Sequence, residues 1–282
     1  MIALAENTYG KSSVRLVKVK RDAPLHTVKE WKVEVLLSGD FETCFTVGDN
    51  SGILPTDTMK NTVYSRARES TAECMEDFAR ELAEFFLARN PQVERVAINI
   101  ASTAWDHAVV EGKPHPSTFV RGSGESQTTA VTYVQGGAVS VTSGLDGLVL
   151  LKTANSGFEG YLKDSLTTLP ETADRLFGTS MRAQWRYQSA VLPFEQLRSK
   201  LRETLIGAFA EHDSKSVQHT LYAMAQAALE GVPEILDMEL AMPNKHCVLV
   251  DLSRFGQTNP NQIFVPTDEP YGNIVARICR ES

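Results

Sequence analysis

The chain has 282 residues, 42% of them hydrophobic, and 28 basic against 35 acidic side chains give a net charge of −7. That is enough apolar material for one large core or two smaller ones, and the spread-out acidic charge excludes a protein that grips nucleic acid through its phosphates. The same field will not steer an anionic ligand, so capture of an anion must rest on local donors.

Four cysteines, Cys44, Cys74, Cys247 and Cys279, are too scattered for a zinc knuckle or a disulfide framework, which suits a reducing compartment. The sequence shows no secretory signal, no apolar run of membrane-spanning length and no Asn-x-Ser/Thr acceptor, so a cytoplasmic protein that avoids membranes is expected.

In chain order, Lys11 to Lys20 reads as a strand, and the alternation of Val33, Val35 and Leu37 with Lys32 and Glu34 predicts a second from Trp31 to Leu37, a hairpin turning near Asp22 to Thr27. The turn-rich run from Gly48 leads to a short helix for which Thr56 or Asp57 is a natural N-cap. Phe78, Leu82, Phe85 and Phe86 make one apolar helical stripe that Asn90-Pro91 stops. Val96, Ile98 and Ile100 alternate as a half-buried strand, and Lys113 opens another; the small polar run Arg121 to Ser126 reads as a junction.

Beyond it the order repeats. Val131 to Val134, and Val139 to Val141 continuing to Leu151, predict strands. A short helix is expected next, with Thr168 capping, Glu171 reaching back, Pro170 in the first turn and Gly178 ending it. Two longer helices carry stripes at Phe194, Leu197, Leu201, Leu205 and Phe209, and at Val217, Leu221, Met224, Ala225 and Ala228. Leu236 to Met242 alternates, and a last strand pair is expected between Cys247 and Ile278. Strand pairs bracketing helix pairs twice over predict an α+β fold, antiparallel sheet with helices on one face, in two units at residues 1–125 and 126–282.

No Gly-x-Ser-x-Gly, Walker loop or Gly-x-Gly-x-x-Gly is present, and the six histidines form neither His-x-His nor His-Glu-x-x-His. A site without cofactor or metal is the simpler expectation. Phe158 and Arg175 offer a flat apolar face and a flat cationic fork, which suit a planar anionic heterocycle, although the same two types also serve as a core aromatic and a surface arginine. On residue types alone Lys11 is a solvated charge or a desolvated base, Thr56-Asp57 a helix cap, Gln218 a surface amide and His246 a strand histidine.

The order Leu-x-Leu-Leu-Lys-Thr-x-x-Ser-x-Phe-x-x-Tyr from Leu148 to Tyr161, followed by Leu169 and Arg175, resembles the signature of the uricase family. Ala154, where a hydroxyl is common, and Leu166, where an aromatic is common, depart from it at positions away from the implied chemistry. Tyr9-Gly10-Lys11, Thr56-Asp57 before Lys60-Asn61-Thr62, Ser216-Val217-Gln218 and Asn244-Lys245-His246 occur in the family's order over essentially the whole length.

The resemblance implies tandem tunnelling-fold units whose sheets close into a barrel in a homo-oligomer, expected to be a tetramer with sites at subunit interfaces. It implies cofactor-independent oxidation of urate by dioxygen. Lys11, Thr56 and His246 would form the proton relay, and Arg175 and Gln218 would grip urate beside Phe158. Thr56, Asp57 and Val217 would touch the purine, Leu169 and Ile274 would close apolar sides, and Asn244 would hold oxygen or water. The ending Cys-Arg-Glu-Ser, unlike the peroxisomal Ser-Lys-Leu of many eukaryotic members, suggests a bacterial cytoplasm. Two rivals are weighed: a pterin enzyme of the same fold would need grouped metal-binding histidines or cysteines, and a silent purine binder would be expected to lose Lys11 or Thr56.

Overall fold

The structure, a computed structural model, describes residues 2–281. Among them the chain forms ten strands and five α-helices and divides into two compact units, Met1–Gly144 with Arg186–Glu195, and Leu145–Trp185 with Gln196–Ser282.

In the first unit, β1 (Tyr9–Lys20), β2 (Thr27–Gly39), β3 (Val93–Val110) and β4 (Lys113–Val134) pair antiparallel in chain order, and the start of β5 (Val139–Lys152) comes after them. Three helices, α1 (Glu42–Thr46), α2 (Thr56–Glu69) and α3 (Met75–Arg89), lie between β2 and β3 in the chain. Alternation decides which face they cover: Trp31, Val33, Val35 and Leu37 of β2 are buried while Lys32 between them is exposed. Val96, Ile98 and Ile100 of β3 bury their side chains in the same way. Phe78 and Leu82 of α3 are fully buried, and the Phe78 ring stacks on Trp31 with centroids 5.1 Å apart; truncating such a side chain to alanine costs about 3–5 kcal/mol. The apolar stripe of α3 is narrower than its sequence suggests, because Phe85 is only half-buried and is flanked by the guanidinium groups of Arg66 and Arg89, 5.0 and 4.7 Å from its centroid.

In the second unit the strand order is the rest of β5, then β6 (Phe177–Tyr187), β7 (Ile235–Ala241) and β10 (Val275–Cys279), with β8 (Asn244–Leu249) pairing β6 and β9 (Phe264–Gly272). The pairs β7–β10, β6–β8 and β8–β9 are antiparallel. Helices α4 (Phe194–Glu211) and α5 (Val217–Gly231) turn Leu201, Leu205, Met224, Ala225 and Ala228 into a core shared with Met181, Ala183 and Trp185 of β6 and Met238 and Leu240 of β7.

Several expectations change. The helix predicted from Thr168 to Gly178 does not form. Glu171 does not reach back to cap it but accepts from the Gly160 amide and pairs with Lys163, Thr172 exchanges backbone hydrogen bonds with Phe158, and Gly178 lies inside β6. Helix α2 begins after Pro55 with no side-chain cap, so neither Thr56 nor Asp57 is its N-cap, and at 14 residues it is not short. The run Arg121 to Ser126, read above as small and polar, continues as strand in β4. The region after β7 holds three strands instead of a pair, because β10 returns to β7 while β8 and β9 pair with each other.

Candidate active site

The first unit places Lys11 and Thr56 on neighbouring pieces of backbone. Gly10 pairs with Leu36 so closely that a Cβ there would lie 1.8 Å from the Val35 carbonyl oxygen, which explains why the residue before Lys11 has no side chain. After Lys11 the β1–β2 register shifts, with Ser13 at φ 59°, a bulge of the kind that re-aims side chains. Ser12 anchors the bulge by donating to Glu34 at 2.6 Å, and Asn99 donates to the same carboxylate at 2.7 Å; these two bonds, the Ser12 one first, hold Glu34 below the usual carboxylate range.

Tyr9 connects the strand to the helix. Its hydroxyl accepts from the Leu54 amide at 2.9 Å, two residues before Thr56, and its ring meets Phe41 edge-on at 4.8 Å. Burial pushes the Tyr9 phenol up, against the effect of that amide. Asp57 points into its own helix. Its carboxylate takes Lys60, and Asn61 donates to it at 3.1 Å; Lys60 is the main cause, with Asn61 and the charge of Lys11 as lesser ones, of its lowered pKa.

In the second unit the residues from Leu151 to Arg175 run without a helix, yet side chains and backbone pin them. Phe158 and Thr172 exchange N–H···O bonds of 2.7 and 3.2 Å, and Arg175 N donates to Ser156 O at 2.7 Å. Asp174 accepts from Ser156 N at 3.1 Å. Gly157 fits against this return strand because it lacks a Cβ, which would stand 2.9 Å from the Ala173 oxygen. The result sets the Arg175 guanidinium 5.7 Å from the Phe158 ring centroid. Tyr161 stacks on Phe158, with centroids 4.8 Å apart and the rings nearly parallel at 14°, and its hydroxyl donates to Leu169 O. Leu169 is exposed. Arg175 is half-buried, its Nε has no hydrogen-bond partner among the described residues, and desolvation alone lowers its pKa; the guanidinium stays charged regardless. A desolvated cation with a free donor beside an aromatic face is equipped for a flat anion.

The same loop reaches the start of α5. Ser214 accepts from Gly157 N at 2.8 Å and donates its own amide to Asn155 O at 2.9 Å, and its hydroxyl donates to Ser216 O at 3.1 Å. Ser216 is the N-cap of α5, accepting from His219 N at 3.1 Å. Val217 is buried and Gln218 exposed in the first turn, so the glutamine amide is free to meet a ligand. Beyond Arg175 the chain enters β6, whose Thr179 pairs with Asn244. Asn244 is 8% exposed and shares a neighbour with Ile274: a Cβ on Gly272 would lie 3.4 Å from Ile274 Cδ1 and 3.7 Å from Asn244 Cβ. His246 comes next in β8, paired with Thr267 after a register shift.

Sequence reasoning missed the residues that hold these groups. Tyr9 and Tyr161 were visible only as letters of a motif, and Ser214 carried no signal, since it meets the loop through backbone atoms and reaches Ser216 only through a small hydroxyl. Among the described residues no three His, Cys, Asp or Glu side chains gather as a metal-ligand set, and no helix is long and apolar enough to cross a membrane.

Comparison with known proteins bears on the whole arrangement. The uricase family model matches residues 7–132 and 141–275. The uricase of Arthrobacter globiformis is 40% identical over 280 residues, covering 99% of this chain and 91% of that protein. That of Oryctolagus cuniculus is 37% identical over 279 residues, covering 97% and 93%, and that of Aspergillus flavus 36% over 297 residues, covering 100% and 98%. The crystal structure of the Arthrobacter globiformis uricase superposes with a TM-score of 0.95 at 38% identity, over 100% of this chain and 96% of that one. A hyperthermostable mutant of Bacillus sp. TB-90 urate oxidase shares the fold, with a TM-score of 0.86 at 21% identity over 97% and 99%. With matches that run from the first strand to the last and take in Tyr9-Gly10-Lys11, the Phe158–Arg175 loop and Asn244-Lys245-His246 alike, the chain belongs to the uricase family of oxidoreductases, which are urate oxidases.

Proposed function

We propose that the protein oxidises urate with dioxygen and water to 5-hydroxyisourate and hydrogen peroxide, using no metal, flavin or haem. The observation that carries this reading is the half-buried guanidinium of Arg175, with an unpartnered Nε, set 5.7 Å from the Phe158 ring. Arg175 and Gln218 fix the urate anion by its edges, Phe158 holds its plane, and Leu169, Val217 and Ile274 close it in with the backbone at Thr56 and Asp57. The relay of Lys11, Thr56 and His246 removes a proton, which makes the purine electron-rich enough to give an electron to oxygen directly. Asn244 orients oxygen and afterwards the water that adds to the oxidised ring. One oxygen atom of the product comes from water, and the two electrons taken from urate leave as peroxide.

Because Lys11, Thr56 and Asp57 belong to the first unit and the other groups to the second, we propose that each site is completed across an interface between two copies, in a homotetramer whose sheets close into a barrel. Closure would also cover β1 and β10, the strands at the two ends of the strand order. The four cysteines are free among the described residues, which supports a reducing compartment such as the cytoplasm. The division into repeats at 1–125 and 126–282 remains part of this proposal.

Incubating the purified protein with urate, following urate absorbance and peroxide, tests the reading: both signals should move together at equal molar rates and survive exhaustive chelation. Activity that vanishes with the chelator and returns with one metal would overturn cofactor independence. A preparation that leaves urate untouched overturns the whole proposal.

A further inference from the structure

Lys152 is a buried cation that the proposed chemistry leaves unused. It closes β5, is 9% exposed, and its amino group donates to Phe209 O at 3.3 Å, Ala210 O at 3.0 Å and His212 O. Those oxygens belong to the last turn of α4 and the residue just past it, where a helix leaves carbonyls without intrahelical partners and where its dipole favours a positive charge. Three carbonyls match the three N–H groups of an ammonium, so a single side chain completes the end of α4.

Both chain segments joined by this contact lead into the substrate grip. Three residues after Lys152 the chain reaches Asn155, whose carbonyl takes the Ser214 amide, and then Ser156, Gly157 and Phe158. After His212 it passes through Ser214, fully buried, whose hydroxyl donates to the cap residue Ser216, and enters α5 at Val217 and Gln218. Arg175 hangs from the same loop through Ser156 O. Phe158, Arg175 and Gln218 therefore take their mutual spacing from two tie points, Lys152 on the α4 carbonyls and Ser214 between loop and cap.

We infer that Lys152, together with Ser214, is a positioning residue that sets the spacing of Phe158, Arg175 and Gln218 and thereby the affinity for the planar anion. The inference rests on the reading of those three as the urate-binding groups. Methionine at 152 keeps length and apolar stem but offers no donor, so the end of α4 loses its ties and Gln218 moves relative to Arg175; small misplacements of positioning groups are costly to binding.

The test compares Lys152→Met, Ser214→Ala and Arg175→Ala by anaerobic titration with urate, where the absence of oxygen prevents turnover, and by steady-state kinetics, with circular dichroism and sedimentation reporting fold and assembly. The expected result is urate affinity weakened by about 10-fold in Lys152→Met and about 3-fold in Ser214→Ala, with KM rising in proportion and kcat changing less. If Lys152→Met does not fold, Ser214→Ala decides, supporting the inference if weakened and overturning it if unchanged. Variants with a lower Tm but unaltered urate affinity, alongside an Arg175→Ala protein that has lost urate, overturn the inference while leaving the site reading in place. Arg175→Ala that binds urate normally overturns the site reading and the inference with it.

Discussion

In the first unit Lys11 and Thr56 sit on regular backbone, one in β1 and one at the start of α2, whereas in the second unit Phe158 and Arg175 sit on chain with no helix of its own. The ladder of backbone bonds between β1 and β2 fixes Lys11, and Tyr9 of the same strand holds the Leu54 amide just before Thr56, so the sensitive features there are close approaches of main chain, such as Gly10 against Val35. The second pair is held by individual bonds from Asp174, Ser214 and Tyr161. A ladder distributes the work of placement over many residues, and a clamp concentrates it in few.

The largest effect expected from this comparison is the recovery of a lost activity. Lys11→Ala and Arg175→Ala each lack one part of the proposed site, and each alone should be inactive. Mixed under conditions that exchange subunits, they should regain about a quarter of wild-type turnover, since random pairing across a symmetric interface reunites an intact Lys11 unit with an intact Arg175 unit at about one site in four. Mass spectrometry showing mixed oligomers that stay inactive would mean that each copy builds its own site.

Next in size is Arg175→Lys. Lysine keeps the charge but loses the planar fork, and the lost charge-assisted bonds should cost about 2–3 kcal/mol, on the order of 100-fold in urate affinity, with little change in Tm. Near-normal saturation by urate would remove Arg175 from the site.

The legibility of the molecule divides along the same line. The β1–β2 hairpin, α3, β3, α4 and α5 could be read because their apolar positions recur at period 2 or 3.6 and end up buried. Strand β6 was equally readable and was overlooked: Phe177, Thr179, Met181, Ala183, Trp185 and Tyr187 are all buried and alternate with Ser180, Arg182, Gln184 and Arg186. A capping pattern at Thr168 and Glu171 misdirected the reading just before it, since local signals for a helix lose when tertiary contacts claim the same groups, here Gly160 and Lys163 for Glu171. The residues proposed for the site were picked out through the ordered motifs that resemble uricases. Their supports, Lys152 and Ser214, were not, because a carbonyl at the end of α4 or an amide in a loop is the same for every residue type that could stand there.

Gly10→Ala probes the ladder side. The new methyl would overlap the Val35 carbonyl at 1.8 Å, and because that atom is backbone, β1 must shift away from β2. A stability loss of about 2–3 kcal/mol is expected, read as a lower Tm for the first unit's core, with activity falling as Lys11 moves. An unchanged Tm would show that the strand has freedom the close approach denies.

The smallest effect concerns pH and belongs to the clamp side. His212 lies just past α4, its Nδ1 is 3.1 Å from Thr220 Oγ1, and its ring meets His219 edge-on with centroids 4.3 Å apart. Burial first, then the positive fields of His219 and Lys152, lower its pKa from the ordinary 6.5, with Asp213 opposing. The folded protein thus prefers the neutral imidazole, and the unfolded chain takes up a proton at a higher pH than the folded one does. This contribution to stability is complete above the ordinary value and is lost as pH falls through the folded value. Tm recorded from about pH 8 down to about pH 5 should therefore fall less steeply in His212→Asn, which cannot take up that proton, than in the unmodified protein. The loss in the unmodified protein should also appear as weaker anaerobic urate binding, because the segment that His212 begins leads through Ser214 to Gln218. Superimposable Tm profiles for the two proteins would place the acid sensitivity elsewhere and leave the clamp indifferent to protons.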